Sequence, residues 1–137
     1  MGKTNLQSRN MYYFNFKRIV MNLFNNQKLN NASLECKIRI SSILMNPEII
    51  RFKIGKTADP VETRYSESDE YKAEYDEIIS IYETEDKALV DSLEKKLIRD
   101  YRMTYPSKCK NEQEGSGQDC SSSKNKTAYI YMVVKYK

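Results

Sequence analysis

The sequence predicts a small domain of the mixed α/β (α+β) class: a three-stranded antiparallel sheet flanked by helices, with an added N-terminal helix and an added C-terminal strand. Three observations lead there. Apolar and polar residues alternate over residues 34–41 and again over 50–54, the period of half-buried strands. Leu89, Leu93, Leu97 and Tyr101 recur at helical spacing. The 137 residues fit one domain, and 39% hydrophobic with 31% charged residues is a globular composition.

The elements follow in chain order. Residues 11–29 carry Phe16, Ile19, Val20, Leu23 and Phe24 at helical spacing, which predicts an amphipathic helix ending in the Asn-rich stretch after it. This helix is expected as an extension over residues 1–31, ahead of a domain spanning 32–137. From Leu34 the period changes: Leu34, Cys36, Ile38 and Ile40 alternate with Glu35, Lys37 and Arg39, which predicts a first strand. Asn46-Pro47 marks a turn, and Ile50, Phe52 and Ile54 predict a second strand closing an antiparallel hairpin. Asp59-Pro60 is a helix start, with a capping side chain and then proline. The helix expected from about Arg64 to Tyr75 has a break near residues 66–69. Residues 77–82 form a third strand. Thr84 or Asp86 caps a helix running to about Tyr101. Residues 107–127, rich in Ser, Gly, Lys and Asn, read as a long polar loop, and residues 129–136 as a last, β-branched and aromatic strand.

Composition removes several chemistries. There is no histidine, so the commonest general base near neutral pH is missing. Cys36, Cys109 and Cys120 form no CxxC and have no histidine to complete a zinc site. No stretch approaches the roughly 18 apolar residues of a membrane span, and no secretory h-region opens the chain, so the expectation is an intracellular protein, in cytoplasm or nucleus. The net charge of +4 is unevenly spread. Residues 1–59 carry ten Lys/Arg against three Asp/Glu, 62–100 six against thirteen, and 101–137 seven against three. The basic segments suit a phosphate-facing surface; a solvated acidic helix face accounts for the middle equally well.

Within this order stand Phe52-Lys53-Ile54-Gly55-Lys56-Thr57, Asp59-Pro60 and Arg64, then Leu93-Glu94-Lys95-Lys96-Leu97-Ile98, then Tyr101-Arg102, Pro106 and Asn111. Together, over about residues 35–111, they resemble the GIY-YIG nucleases, in the branch whose second motif reads K-I-G-K-T. Two features depart from that family. The expected first strand, Lys37-Ile38-Arg39-Ile40-Ser41-Ser42-Ile43, lacks the tyrosine of the first motif, and no histidine follows the arginine. Tyr129-Ile130-Tyr131 resembles a first-motif strand, but at the opposite end of the chain.

The resemblance implies hydrolysis of DNA phosphodiesters with Mg2+ or Mn2+. Glu94 would hold the metal, since a lone carboxylate with waters and substrate phosphate suits magnesium. Arg64 would contact the scissile phosphate through its planar fork. Lys53 and Lys56 would add positive charge, with Lys108 and Lys110 as further DNA contacts. Asn111 would hold the Glu94 region by hydrogen bonds. Tyr65 and Tyr71 are the candidates for activating water, although a phenol of pKa about 10 needs help to do so. Sequence readout by so small a domain would need its basic N-terminal helix, a homodimer or a partner protein. Two other functions stay open: a catalytically inactive nucleic-acid- or protein-binding module on the same fold, and a small interaction domain with no nucleic-acid role.

Overall fold

The structure, a computed structural model, describes residues 6–115 and 119–137, with side chains from residue 15 onwards. In chain order its elements are α1 (Leu6–Leu44), β1 (Ile49–Thr57), α2 (Val61–Ser66), α3 (Asp69–Glu74), β2 (Glu77–Thr84), α4 (Lys87–Thr104) and β3 (Ala128–Tyr136), with one 3-10 turn at Cys120–Ser122. The architecture is α+β: one three-stranded antiparallel sheet, order β1-β3-β2, flanked by helices.

The sheet has the expected number of strands but not the expected members. Residues 34–41 are helix, and the hairpin with residues 50–54 does not form. The expected helix over 11–29 and the expected first strand are one continuous 39-residue helix, so a boundary at residue 31 has no structural counterpart. The alternation over 34–40 is real but misleading. The side chains used by the core are Ala32, Ser33, Cys36, Ile40 and Leu44, at spacings of three and four, while Leu34 and Ile38 are exposed. No glycine or proline interrupts residues 6–44, and Glu35 and Arg39 form an i,i+4 ion pair. Asn46-Pro47 ends the helix rather than turning a hairpin.

The missing place is filled by β3, which is central rather than added at an edge. It pairs antiparallel with β1 (Ile54↔Met132, Gly55↔Tyr131) and with β2 (Ile79↔Met132, Ser80↔Tyr131). Both its faces are covered. Ala128, Ile130, Met132 and Val134 enter the main core with residues of α1 and α4, whereas Tyr131 and Val133 pack with Val61, Tyr71 and Tyr75 on the α2–α3 side. The break expected near 66–69 separates α2 from α3, whose Ser68 side chain caps it by accepting from Tyr71 N–H. Likewise Asp86 caps α4, accepting from Leu89 N–H at 3.2 Å. Among the described residues no helix is long and apolar enough to cross a membrane.

Candidate functional site

Four elements bring side chains to one cavity of about 540 Å3: β1 with Lys53, Gly55 and Lys56, α2 with Arg64, α4 with Glu94, and β3 with Tyr131. Glu70 and Tyr71 of α3 and residues Asn111, Glu112 and Gln113 also line it.

Glu94 lies on the core stripe of α4, among Val90, Leu93, Leu97, Ile98 and Tyr101, and is only 3% exposed. A carboxylate there is costly, because ionisation in low dielectric is opposed. Burial pushes its pKa up to about 7, against the pull of the Lys56 ammonium. Its Oε1 is buried with no hydrogen-bond partner, and Lys56 Nζ stands 4.0 Å away, at the limit of an ion pair. A buried acceptor left open fits a cation anchor. One carboxylate completed by waters and substrate phosphate is a donor set that magnesium accepts, although among the described residues no group of three or more His, Cys, Asp or Glu could hold a metal alone.

Lys56 is not a surface lysine. Its side chain is 4% exposed, and Nζ donates to Asp91 Oδ1 at 3.0 Å and to Asp119 Oδ1 at 3.4 Å. Burial lowers its pKa, but the neighbouring Asp91, Glu94 and Asp119 more than reverse this. Asp91 also accepts from Cys120 N–H at 2.8 Å and Ser121 N–H at 3.2 Å, tying the loop before β3 to α4. Burial raises the Asp91 carboxyl, and these donors bring it below the ordinary carboxylate range.

The hydroxyl end of the Tyr131 ring lies over Gly55, its partner in the β1–β3 register. A Cβ at residue 55 would stand 2.8 Å from Tyr131 Cε2 and closer still to its hydroxyl end, so the ring fits only over glycine. The phenol is 2% exposed and its hydroxyl pairs with that of Tyr71 at 2.8 Å. Burial and the Tyr71 hydroxyl hold Tyr131 well above the usual phenol range, so it is neutral at pH 7. The guanidinium of Arg64 stacks over the Tyr71 ring at 4.7 Å and reaches the Tyr131 ring at 6.0 Å. No ion pair to Arg64, with Glu62, Glu67 or any other described carboxylate, is present among the described residues.

Of the expected site residues, Lys53, Lys56, Arg64, Tyr71, Glu94 and Asn111 line this cavity. Tyr65, Lys108 and Lys110 do not. The Tyr65 hydroxyl donates to the Tyr75 carbonyl at 2.9 Å, so it braces α2 against the end of α3. The backbone of Lys108 and Lys110 instead pairs with Phe52 of β1. Neither strand lysine offers a free ammonium: Lys53 is paired with Glu70, and Lys56 is enclosed as above. Asn111 holds β1, not Glu94: its amide donates to the Ile54 carbonyl at 2.8 Å and its Oδ1 accepts from Ile54 N–H at 2.9 Å. Tyr131 and Asp91 were not among the residues singled out as site residues from the sequence. Tyr129-Ile130-Tyr131 stood out as a motif in the wrong place, whereas nothing distinguishes Asp91 within an acidic helix. Comparison with models of known families, with curated proteins and with solved structures finds no match to this chain.

Proposed function

We propose that this chain is a divalent-metal-dependent DNA endonuclease that hydrolyses phosphodiester bonds, related to the GIY-YIG nucleases but with the strand of its first motif supplied from the far end of the chain. The observation that carries this reading is the convergence of Tyr131, Arg64 and Glu94 in one cavity beside Gly55. The tyrosine missing before β1 has a counterpart in β3, at the place in the sheet where a hairpin partner of β1 belongs.

Each residue then has a task set by its surroundings. Arg64, braced by two aromatic rings and free of carboxylates among the described residues, offers its fork to the scissile phosphate. Glu94, whose Oε1 has no hydrogen-bond partner, anchors Mg2+ or Mn2+. When bound, the metal would supply positive charge to the phosphorane and the leaving oxygen. Tyr131, neutral at pH 7 and held by the Tyr71 hydroxyl, orients the attacking water. Lys56 offsets part of the negative charge of Glu94, Asp91 and Asp119.

A second reading, a catalytically silent binding module, draws on the internal pairing of Lys53 and Lys56 and on the high pKa of Tyr131. Nicking of supercoiled plasmid with Mg2+ or Mn2+ separates the two. The nuclease reading expects nicking by the wild type and a loss of at least about 100-fold in Glu94→Gln, with DNA affinity retained. Salt-sensitive DNA binding by the wild type without nicking of any DNA form would establish the binding module instead.

A further inference from the structure

We propose that α1 pairs antiparallel, about a twofold axis, with α1 of a second copy of this chain. This helix has two apolar faces, and the domain covers only one of them. Ala32, Ser33, Cys36, Ile40 and Leu44 turn inward. Phe16 (67% exposed), Ile19 (58%), Leu23 (63%), Leu34 (62%), Ile38 (61%) and Met45 (82%), the last just beyond the helix end, turn outward. At about 100° per residue these six fall within an arc of about 100°, centred roughly 130° from the inward stripe. Their successive spacings are 3, 4, 11, 4 and 7 residues, which keep them on one side of the helix.

The occupant follows from the pattern of the seam itself. Reversed about a point between Asn30 and Asn31, the seam sets Leu23 against Ile38 and Phe16 against Met45, with Ile19 facing Ser42, Gln27 facing Leu34 and Asn30 facing Asn31. Apolar contacts lie toward both ends and polar residues in the middle, an arrangement that disfavours other registers. Charge selects the direction. Residues 15–34 contain Lys17, Arg18 and Lys28 and no acidic residue, whereas over residues 35–48 Glu35 and Glu48 balance Lys37 and Arg39. Antiparallel pairing sets the basic half of each helix along the electrically balanced half of its partner; parallel pairing sets basic against basic. Antiparallel pairing also lays the exposed half of each helix along the domain-bearing half of the other, so the two domains sit at opposite ends. The six side chains could remove up to about 700 Å2 per copy from water, close to the roughly 800 Å2 per partner of a standard stable interface.

Sedimentation velocity of the full chain, from about 1 to 100 µM, tests this, since a dimer's population depends on concentration. The wild type is expected to dimerise in that range. Leu23→Glu should raise the dissociation constant at least about 100-fold, because the substituted contact occurs twice. The double variant Leu23→Glu/Ile38→Lys should restore most of the affinity, since antiparallel pairing sets Glu against Lys twice and parallel pairing sets like charges together. Both positions are exposed, so at a concentration where the wild type is monomeric the thermal melt of each variant should match it. A wild type that stays monomeric at about 100 µM, a Leu23→Glu chain as dimeric as the wild type, or a double variant with no rescue overturns the proposal. A wild-type monomer that sediments with phosphatidylglycerol vesicles would overturn it in favour of a membrane-surface face.

Discussion

Replacing Glu94 with Gln should make the metal-free protein more stable above neutral pH. The buried carboxyl has its pKa raised from 4.5 to about 7, chiefly by burial. Between those values the folded chain holds a proton that the unfolded chain has released. Stability therefore falls as pH rises through this window, and above it the whole cost of ionising the buried group is borne by the folded state. At 1.36 kcal/mol per unit the cost approaches about 3 kcal/mol. Glutamine keeps the shape and cannot ionise. The stability difference between variant and wild type should be small at about pH 5 and reach about 3 kcal/mol in favour of the variant at about pH 8. Any fixed penalty for the amide is common to both and cancels in the comparison. Urea unfolding in EDTA at the two pH values measures it. A difference that is the same at both, within about 0.5 kcal/mol, would refute the reasoning, because Glu94 would then titrate as an ordinary carboxyl. Added Mg2+ at the higher pH should stabilise the wild type and leave the variant unmoved.

Three further substitutions probe the wall of the cavity. Tyr131→Phe removes only the hydroxyl bonded to Tyr71, so urea unfolding should show a loss of about 1 kcal/mol, while plasmid nicking should fall about 100-fold or more. Gly55→Ala drives a Cβ into the Tyr131 ring and should cost about 1–3 kcal/mol in urea unfolding; adding Tyr131→Phe should not relieve it, because ring carbons as well as the hydroxyl lie within contact of that Cβ. Asn111→Ala removes two hydrogen bonds to the Ile54 backbone and should cost about 1–3 kcal/mol, with faster hydrogen exchange at the Ile54 amide.

Local signals in the sequence located most elements well, and long-range ones poorly. The Asp86 cap, the 3.6-residue stripe of α4 and the break between α2 and α3 are decided by residues within one or two turns of each other, and all are present. Residues 34–40 failed because alternate positions on a short run also include i,i+4 pairs, such as Cys36 and Ile40. Only the unbroken helical context from residue 6 to residue 44 decides between the two periods. For β3 the useful signal is its lack of alternation. Residues 128–134 are apolar without alternation, unlike β1, where Arg51, Lys53 and Lys56 punctuate the run. A strand with no polar face has to be covered on both sides, and the two core clusters that share β3 do cover it. Glu94 and Arg64 were legible as motif members. That Lys56 would be enclosed by Asp91 and Asp119 was not, because those partners lie 35 and 63 residues away.

The position of β3 changes what the missing tyrosine means. The order expected from the sequence was hairpin, helix, strand, helix. No strand precedes β1 among the described residues, yet the same order appears if β3 is read first: β3 pairs antiparallel with β1, and α2–α3, β2 and α4 follow. The geometry makes this more than relabelling. Tyr136 pairs with Ile49, and Lys137 N–H donates to the Glu48 carbonyl at 2.9 Å, so the end of β3 lies beside the start of β1 at the distance of a tight hairpin. The connection the chain uses instead runs from α4 through the polar residues 105–127 and is fastened at Asn111, on the Ile54 backbone, and at Cys120 and Ser121, on Asp91. Side-chain positions at a site depend on which strands lie side by side and in what register, not on the order of synthesis. Under the proposed nuclease reading, Tyr131, paired with Gly55 across the sheet, takes the part of a first-strand tyrosine although it lies 76 positions after Gly55 in the chain. An absence that argues against catalysis when motifs are read along the chain loses its force when they are read across the sheet. The case for a silent module then rests on the pairing of Lys53 and Lys56 and the high pKa of Tyr131, and the metal-dependent nicking assay decides it.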